Sequence, residues 1–425
     1  MKSQPSIADH VREKEAEVAS PAQHGRGAGT CAEQFQRPLR ILFLNHNYEN
    51  FGTYYRCFFL GRSLARLGHH VDLVCASRRV FDLRIRRRFV EERFRIITLP
   101  RIRLQQYHTG HSLRAIINSG IVILKDYDIL HSFAVAQPAT AVPTVVARRL
   151  TSRPIVVDWD DAWGEGLANS HPSLIGRTLA YLEREVPKLA DSVTVVSEYL
   201  RAKADSNGCR RIVKIPNGAN VDDIQPTDKQ AARRKLGIPS EIKMLVAVGH
   251  TFLKSMDNML SAFLIAGKRV PDARLFVVGN FNRDIRSIGH TCGFENIVFS
   301  GEQPFETVKL YLAAADGLVL PMEDTVFERA RFPIRLGDYM AAARPIVSNA
   351  TGEVKSVLET NECGLTCSPD DIEGFAAIMI EAIRDGEVRD HLGRNARICA
   401  EGQYSWAGIA VKLAAEYGEI IGARR

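Results

Sequence analysis

The stretch that decides the fold is Ile242–Phe281, which reads "IKMLVAVGHTFLKSMDNMLSAFLIAGKRVPDARLFVVGNF". It begins with a short apolar run, continues through a segment with helical spacing, and ends in a second apolar run. The two apolar runs predict buried strands, and the segment between them predicts a helix. A strand, a helix and a strand in this order predict a right-handed crossover between parallel strands. The stretch is therefore typical of an α/β protein with a parallel sheet.

The same alternation continues outward from this stretch and forms two separate series. The first series begins with the apolar run "LRILFLNH" (Leu39–His46) and ends at "PNGANVDDIQPTDKQ" (Pro216–Gln230), where the second series begins. The Pro, Asn and Gly residues of that joint suit neither a helix nor a strand. We therefore predict an α/β fold with two facing Rossmann-like domains and parallel sheets. Ligands of such sheets bind at the carboxyl ends of the strands, so we expect a shared cleft.

The length of the chain, 425 residues, fits two domains rather than one core. We predict a disordered polar tail at 1–37, an N-terminal Rossmann-like domain at 38–222 and a C-terminal Rossmann-like domain at 223–405. A C-terminal helix is predicted at 406–425, and a return of this helix to the N-terminal domain is one alternative. The tail has no apolar segment of the secretory kind, and no apolar run reaches the roughly 18 residues that span a bilayer.

The composition, with 45% hydrophobic and 25% charged residues, is that of an ordinary soluble globular protein. Eight cysteines are scattered along the chain. Only Cys363 and Cys367 lie close together, and this spacing without a second Cys or His pair is a poor zinc signal. We interpret the cysteines as buried or incidental thiols in a reducing compartment.

A basic stretch, Arg78–Arg103, contains ten of the arginines, against the acidic residues Asp82, Glu91 and Glu92. Such a stretch favours an anionic lipid surface or a phosphorylated acceptor, and an ordinary solvated surface is the alternative. Nucleic acid ranks last, because the sequence contains no recognisable nucleic-acid-binding module.

The loop after the first predicted strand reads "NHNYENFGTYYR" and places Gly52 and Thr53 before the first predicted helix. Backbone N–H groups at the start of a helix attract phosphate, and glycine permits close approach. An ordinary turn between a strand and a helix is the alternative. The sequence has neither the glycine pattern of dinucleotide-binding folds nor that of phosphate-binding nucleotidases.

An ordered set of fragments resembles the retaining glycosyltransferases of the family 4 type, which have the GT-B fold. In the second half these fragments are "VAVGHTFLK", "LFVVGNF", "NIVFSG", "LVLPM", "RLGDYMAAARPIVSNATGE" and "ECGLTCSPDD". In the first half they are "ILFLNHNYENFGTYYR", "LARLGHHVDLV", "DILHSF", "VTVVSEYLRAKA" and "KIPNGANVDDIQP". Each fragment alone is common, but their order is specific, and the resemblance covers roughly Leu39 to Glu416.

The resemblance implies transfer of a sugar from a nucleotide-sugar donor to a hydroxyl of a glycan or lipid-linked acceptor, with retention of configuration. It implies no cofactor and no essential metal, and it places the donor mainly in the C-terminal domain. The leaving diphosphate gains charge, so cations and helix N-termini must stabilise it. Lys254 and Arg335 are the candidate cations, and Gly52 and Gly352 mark loops whose N–H groups could face phosphate.

Asp338 lies where the family has an acidic residue that accepts hydrogen bonds from the ribose hydroxyls of the nucleotide. A carboxylate with two oxygens suits a vicinal diol, and each charge-assisted bond contributes about 1.5–3 kcal/mol. An aspartate on the surface of a helix is the alternative interpretation.

Three positions depart from the family pattern. The usual first acidic residue, eight positions before the second, is Ala330, and Glu328 or Glu323 is the candidate to replace it. The phosphate-binding Arg is replaced by His250, which we retain as a donor-binding candidate. Where many members have a His near the reacting sugar, this chain has Asp160, which could accept a hydrogen bond from a sugar hydroxyl.

Asp158 and Asp160 also match the D-x-D signature of metal-dependent glycosyltransferases of the other major fold, since two spaced carboxylates can bind Mn²⁺ or Mg²⁺. Three residues are easily matched by accident, and the two-domain pattern argues for a metal-free site.

We therefore expect a retaining glycosyltransferase of the hexosyltransferase type, cytoplasmic and peripheral to the membrane, in glycolipid or polysaccharide synthesis. Its catalytic candidates are Lys254, Arg335 and Asp160. One alternative is a sugar-nucleotide epimerase or hydrolase of the same fold, which would consume the donor without an acceptor. Another is a non-catalytic relative that binds nucleotide-sugar, and the changes at Ala330 and His250 favour it most.

Overall fold

The computed structural model describes residues 37–102, 110–162, 164, 174–249, 253–279 and 295–424. The predicted tail, apart from Arg37, lies outside the described residues, and so does His250. No helix in the described part of the chain combines the length and the apolar character that crossing a membrane requires.

The strands of the first half are β1 Arg40–Tyr48, β2 His70–Ala76, β3 Arg86–Glu91, β4 Phe94–Leu99, β5 Ile129–Phe133, β6 Ile155–Trp159, β7 Ser192–Val195 and β8 Ile212–Lys214. Those of the second half are β9 Lys243–Val248, β10 Ala273–Val278, β11 Ile297–Gly301, β12 Gly317–Val319, β13 Ile346–Ser348 and β14 Gly364–Thr366.

The helices of the first half are α1 Tyr54–Arg66, α2 Gly110–Leu124, α3 Pro138–Leu150, α4 Leu174–Glu185 and α5 Glu198–Ser206. Those of the second half are α6 Lys229–Leu236, α7 Leu253–Arg269, α8 Phe305–Ala314, α9 Val326–Ala330, α10 Ile334–Ala341, α11 Gly352–Thr360, α12 Ile372–Arg384, α13 Gly386–Gly402 and α14 Trp406–Gly422.

The described residues form two units, each built on its own sheet. The C-terminal unit consists of Ala219–Asp324 and Arg335–Gly402. The N-terminal unit consists of the described residues up to Gly218, the segment Thr325–Ile334 and the residues from Gln403 onward. These boundaries differ from the predicted ones at Thr325–Ile334, which the sequence pattern assigned to the C-terminal domain.

The N-terminal unit has an eight-stranded sheet in the order β3-β4-β2-β1-β5-β6-β7-β8. Neighbouring strands are parallel, except that β3 pairs with β4 in the antiparallel direction. The inner strands are buried along nearly their whole length, as expected of a sheet that is covered by helices on both faces. Helix α14 joins this core with buried side chains such as Trp406, Leu413 and Tyr417.

The C-terminal unit has a six-stranded, fully parallel sheet in the order β11-β10-β9-β12-β13-β14. Its core packs α7 and α12 against the central strands through buried Leu, Met and Phe side chains, including Met259, Phe263 and Phe375. The predicted fold class, two α/β units with parallel sheets of the Rossmann-like kind, is therefore confirmed.

The segment Thr325–Ile334 is held in the N-terminal unit by its backbone carbonyl groups and by one aromatic ring. The Ser197 hydroxyl donates to the Ala330 carbonyl at 2.5 Å, and the Asn217 amide donates to the Phe332 carbonyl at 2.6 Å. The Phe332 ring stacks on Tyr404 with 5.4 Å between the centroids. The sequence pattern missed this grouping because carbonyl groups carry no sequence signal.

Candidate functional site

Two glycines at the carboxyl ends of β9 and β10 bring the backbone of the C-terminal unit into unusually close contact. Gly249 has a φ of +88° and Gly279 a φ of +152°, which residues with a Cβ rarely adopt. A Cβ on Gly279 would lie 2.9 Å from the Gly249 carbonyl oxygen. The Gly249 N–H donates to the Val278 carbonyl and the Gly279 N–H to the Gly301 carbonyl, each at 2.8 Å. The glycines therefore offer a ligand space beside the backbone, because no side chain covers it, rather than free N–H donors.

Helix α10 positions Arg335 at this glycine turn. The Arg335 guanidinium donates to the carbonyl of Val248 at 3.1 Å, and a Cβ on Gly249 would lie 3.7 Å from its Nη1. The hydroxyl of Tyr339 on the same helix accepts from the Val248 N–H at 2.7 Å and donates to Val319 at 3.3 Å. A buried tyrosine therefore fixes the helix against the ends of two strands.

Asp338 lies three residues after Arg335, on the same side of α10. Its Oδ1 accepts a hydrogen bond of 2.7 Å from the amide of Asn220. Burial raises the pKa of Asp338 to about 7, and the charge of Asp223 adds to this rise, while the Asn220 hydrogen bond opposes it. A buried carboxylate with a raised pKa, held by a single amide, has the character of a binding group rather than of a surface residue.

Lys254 lies in the first turn of α7, where its side chain is exposed. It forms an ion pair of 3.2 Å with Asp370, and the two side chains are 62% and 72% exposed. The next residue, Ser255, donates both its N–H and its hydroxyl to Glu323, each at 3.0 Å. Glu323 is therefore a capping group for α7, and this accounts for its carboxylate without a contact to a donor sugar.

Gly352 begins α11 at the end of the loop that follows β13. The preceding Thr351 does not cap the helix with its side chain, and its hydroxyl instead donates to Asp324 at 3.1 Å. The first N–H groups of a helix carry partial positive charge, so this turn is compatible with an anionic ligand.

In the N-terminal unit the structure brings Thr53 and Asp160 together. The Thr53 hydroxyl donates to Asp160 Oδ2 at 2.8 Å, next to Gly52 in the same turn. The other oxygen, Oδ1, is buried and has no hydrogen-bond partner among the residues that the structure describes. Burial, together with the negative charge of Asp158, raises the pKa of Asp160 to about 6.

The sequence pattern missed the residue that organises this region, Arg56 in α1. Its guanidinium is fully buried and donates two hydrogen bonds to Asp158, at 2.8 and 2.7 Å. It also donates to the carbonyls of Ile215 and Pro216, at 2.7 and 3.0 Å, and to the side chain of Asn217, at 3.0 Å. The arginine thus joins three separate parts of the chain.

The Arg56–Asp158 ion pair bears on whether Asp158 and Asp160, the two carboxylates of the D-x-D signature, could bind a metal ion together. Although burial opposes its ionisation, the charge of Arg56 holds the pKa of Asp158 below its ordinary value. Because Arg56 engages both oxygens of Asp158, Asp158 and Asp160 are not a free carboxylate pair. Within the described ranges, no group of three or more His, Cys, Asp or Glu side chains is arranged to hold a metal ion.

Glu328, the candidate replacement for the missing acidic residue, is buried in the N-terminal unit. Its carboxylate accepts two hydrogen bonds from Arg331, at 2.8 and 2.6 Å. Ala330, at the position of the missing residue, contributes its carbonyl group to the contact with Ser197. The structure therefore provides an ion-pair role for Glu328.

The chain matches the sequence patterns of two glycosyltransferase families. The pattern described as "Glycosyl transferase 4-like domain" matches residues 57–218, and "Glycosyl transferases group 1" matches residues 228–398. The chain belongs to the group 1, family 4-like glycosyltransferases. This membership agrees with the resemblance that the fragments indicated.

The protein is similar to several named relatives at low sequence identity. A GDP-mannose-dependent monoacylated alpha-(1-6)-phosphatidylinositol monomannoside mannosyltransferase of Corynebacterium glutamicum is 25% identical over 243 residues, which cover 54% of this chain and 62% of the relative. An N-acetyl-alpha-D-glucosaminyl L-malate synthase of Bacillus anthracis is 22% identical over 380 residues, 85% of this chain and 92% of the relative. The chain thus spans less than two thirds of the Corynebacterium relative.

The solved structure of a sucrose-phosphate synthase from Thermosynechococcus elongatus has the same fold. It aligns with a TM-score of 0.73 at 19% identity and covers 91% of this chain and 100% of its own. At this identity the likeness concerns the fold alone, and it agrees with the predicted GT-B architecture.

Proposed function

We propose that this protein transfers a sugar from a nucleotide-sugar donor to a hydroxyl of a glycan or lipid-linked acceptor, with retention of anomeric configuration. The bond between the anomeric carbon and the diphosphate oxygen breaks, the acceptor oxygen bonds to that carbon, and the acceptor proton leaves with the diphosphate. No cofactor and no essential metal are part of the proposal. The family is one of glycosyltransferases and the Corynebacterium relative is named a mannosyltransferase, which supports this function over donor hydrolysis or epimerisation.

The observation that carries the proposal is the contact between Arg335 and the glycine turn at Gly249. A cation beside bare backbone, at the carboxyl end of a parallel strand, is suited to a diphosphate. Lys254 and the first turn of α11 at Gly352 are proposed to add positive potential for the leaving group. Asp338, oriented by Asn220, is proposed to accept hydrogen bonds from the ribose hydroxyls.

Asp160 is proposed to bind a sugar hydroxyl through its buried Oδ1. A buried carboxylate oxygen without a partner loses solvation, and a hydroxyl donor restores a hydrogen bond. Thr53 keeps the other oxygen in place at 2.8 Å, so the carboxylate plane is fixed before the ligand arrives.

We also propose a cytoplasmic location at the face of an anionic membrane, through the basic stretch Arg78–Arg103. Large apolar side chains lie exposed among its arginines, with Phe81 at 64%, Leu83 at 65% and Phe89 at 65%. Exposed apolar groups between cations are the composition that binds an anionic lipid surface.

The test begins with a panel of UDP-, GDP- and ADP-sugars, each added to the full chain in a thermal-shift assay. A donor that binds the folded state raises the melting temperature by mass action. The variants Arg335→Gln and Lys254→Ala should then each reduce transfer by about 100-fold, the effect of removing one group that stabilises transition-state charge.

The matched control is Arg274→Gln, because Arg274 lies at the opposite end of β10 and, among the described residues, donates only to the nearby carbonyls of Pro271 and Ala273. Its transfer rate should equal that of the unaltered protein. Donor turnover without an acceptor would favour the hydrolase or epimerase, and donor binding without any turnover would favour the non-catalytic relative. Full transfer by Arg335→Gln would refute the assigned role.

A further inference from the structure

A crevice of about 350 Å³ opens on the N-terminal unit between the edge strand β3, strand β4 and helix α2. Its volume lies in the range of small-molecule sites. Apolar side chains line its walls, namely Ile85, Ile97, Leu99, Ile117 and Ile121. We name it the β3–α2 crevice. None of the residues placed at the candidate functional site lines it.

Tyr127 and four cationic residues complete the lining of the crevice, and no acidic residue belongs to it. The cations are Arg40, Arg87, Arg95 and Lys125. Arg95 is held by Asp72 through hydrogen bonds of 2.8 and 2.5 Å. Within the described part of the chain, neither Arg87 nor Lys125 has a side-chain hydrogen bond or ion pair. Two cations are therefore available to an anion at the rim of an apolar crevice.

Because side chains alternate between the two faces of a strand, Arg87 on β3 points away from its neighbours Arg86 and Arg88. Ile85 and Arg87 lie on the crevice side, while Arg86 and Arg88 point to the opposite face. There Arg86 pairs with Asp82 at 2.7 Å and Arg88 with Glu49 at 2.5 Å. Arg86 and Arg88 are thus paired with carboxylates, as are Arg40 with Asp126 and Arg95 with Asp72 in the crevice, which leaves Arg87 and Lys125 as its unpaired cations among the described residues.

The surroundings of the crevice are apolar and exposed. On β3 and its preceding turn, Phe81, Leu83 and Phe89 are each at least 64% exposed. On α2 and at its end, Ile116 and Leu124 are 71% and 81% exposed. Exposed apolar side chains on the elements that form the crevice, with cations among them, are typical of a surface that binds an amphiphile.

We propose that the β3–α2 crevice binds one anionic phospholipid of a membrane, with the acyl chain against the isoleucines and the phosphate at Arg87 and Lys125. The inference rests on the proposed location at a membrane. It adds a binding site for a single lipid molecule to the general electrostatic attraction between the basic stretch and an anionic membrane. The charge match selects anionic over zwitterionic headgroups.

The experiment measures binding of dihexanoyl phosphatidylglycerol, below its micellar concentration, to the full chain by calorimetry and native mass spectrometry. We expect saturable binding of one lipid per chain, and much weaker binding of dihexanoyl phosphatidylcholine or of glycerol phosphate without acyl chains. Arg87→Gln and Ile85→Ser should each weaken this binding by about tenfold, the effect of losing one charge-assisted or apolar contact.

Two matched controls separate the crevice from the surface around it. Arg88→Gln changes the neighbouring arginine on the other face, and Leu83→Ser changes an equally accessible apolar side chain outside the lining. Both should bind the lipid within twofold of the unaltered protein. Equal losses in Arg87→Gln and Arg88→Gln, or the absence of saturable binding, would overturn the crevice as a site.

A parallel assay with phosphatidylglycerol vesicles distinguishes this inference from the proposed membrane location. If the protein binds vesicles but shows no saturable binding of the short-chain lipid, the proposed membrane location stands and the lipid site in the crevice is refuted. If the protein binds the short-chain lipid saturably but does not bind vesicles, the lipid site in the crevice is supported and the proposed membrane location is refuted. Donor-induced thermal stabilisation should be the same in all four variants, which shows that they are folded.

Discussion

The carboxyl edges of the two sheets carry opposite chemistry, although both sheets are built from the same strand–helix repeat. In the N-terminal unit the polar groups at this edge are carboxylates, with Asp158 engaged by Arg56 and Asp160 held by Thr53. In the C-terminal unit the edge combines Arg335 with the bare backbone of Gly249. In the proposed function, the N-terminal edge binds a sugar hydroxyl at Asp160, and the C-terminal edge binds phosphate at Arg335 and the ribose hydroxyls at Asp338.

The difference teaches that burial of charge has two uses in this chain. The Arg56–Asp158 pair is fully buried and fully hydrogen-bonded, so each charge is compensated and the pair joins distant segments. Asp160 and Asp338 are carboxylates whose pKa values are raised, to about 6 and about 7, so their ionised forms are disfavoured in the folded protein. The first arrangement serves the fold, and the second is the kind found at functional sites.

The largest expected effect comes from breaking the compensated pair. Arg56→Met leaves Asp158 buried without its partner, and removal of one member of a buried ion pair costs about 3–5 kcal/mol. Urea denaturation at pH 7 should report this loss in the free energy of unfolding. The double variant Arg56→Met/Asp158→Leu is the control, and it should recover a large part of the stability. A single variant as stable as the unaltered protein would contradict the structural role of the pair.

The next effect has the opposite sign and concerns Asp338. Because its pKa is about 7 in the folded protein and about 3.8 when unfolded, the folded state holds the proton more tightly. The free energy of unfolding therefore falls as pH rises from about 4 to 7, in proportion to that pKa difference. Asp338→Asn cannot ionise, so at pH 8 it should be more stable than the unaltered protein by about 4 kcal/mol.

The same variant should bind the nucleotide-sugar about tenfold more weakly, since it loses a charged acceptor for the ribose hydroxyls. Asp257→Asn, an exposed carboxylate of α7, is the control and should change neither quantity. Chemical denaturation at pH 5 and pH 8, with donor titrations at pH 8, measures both effects. Gain of stability without loss of affinity would leave the raised pKa intact and remove the ribose assignment.

The strands of both sheets could be predicted because their sequences are short apolar runs between helical segments. The exception is β3, in which Arg86, Arg87 and Arg88 are exposed, so neither an apolar run nor apolar–polar alternation marks it. Its pairing with β4 instead depends on backbone hydrogen bonds at the edge of the sheet. The N-terminal cap of α5 was predictable from a local pattern, and Ser197 indeed accepts from the Leu200 N–H.

The candidate site was predictable only where a residue has a local signature. Asp338 and Arg335 lie in a recognisable helix after a proline, and Asp160 follows an apolar strand. Arg56 looks like any arginine in an amphipathic helix, and its partner Asp158 is 102 positions away in sequence. Asn220 was missed for the same reason, because its contact with Asp338 joins a loop to helix α10 across 118 positions of sequence.

A smaller effect should appear in the pH dependence of transfer at saturating donor. With a pKa of about 6, Asp160 is mostly ionised at pH 7 and mostly protonated at pH 5. If the carboxylate accepts a hydrogen bond from a sugar hydroxyl, the rate should fall about tenfold between these pH values. In Asp160→Asn, the transfer rate should no longer fall between pH 7 and pH 5.

Glu183 is the nearest competing explanation for that fall in rate, because burial raises its pKa to about 7. Glu183→Gln should therefore be measured in parallel, and it should keep the fall between pH 7 and pH 5. If Glu183→Gln flattens the profile and Asp160→Asn does not, the titrating group is the glutamate and Asp160 does not accept the hydroxyl in its ionised form.

The smallest effect tests the exposed counterpart of the buried pair. Lys254 and Asp370 form their ion pair in solvent, and such pairs contribute about 0–1 kcal/mol, with salt screening reducing even this. Asp370→Asn should therefore change the free energy of unfolding by less than about 0.5 kcal/mol, against the several kcal/mol expected for Arg56→Met. Because Asp370→Asn also releases Lys254 from a competing carboxylate, donor affinity should stay equal or rise, most clearly at low ionic strength. A loss of donor affinity would mean that Asp370 holds Lys254 in its binding position. The exposed Lys254–Asp370 pair would then have a role in donor binding, whereas the buried Arg56–Asp158 pair has a role in stability.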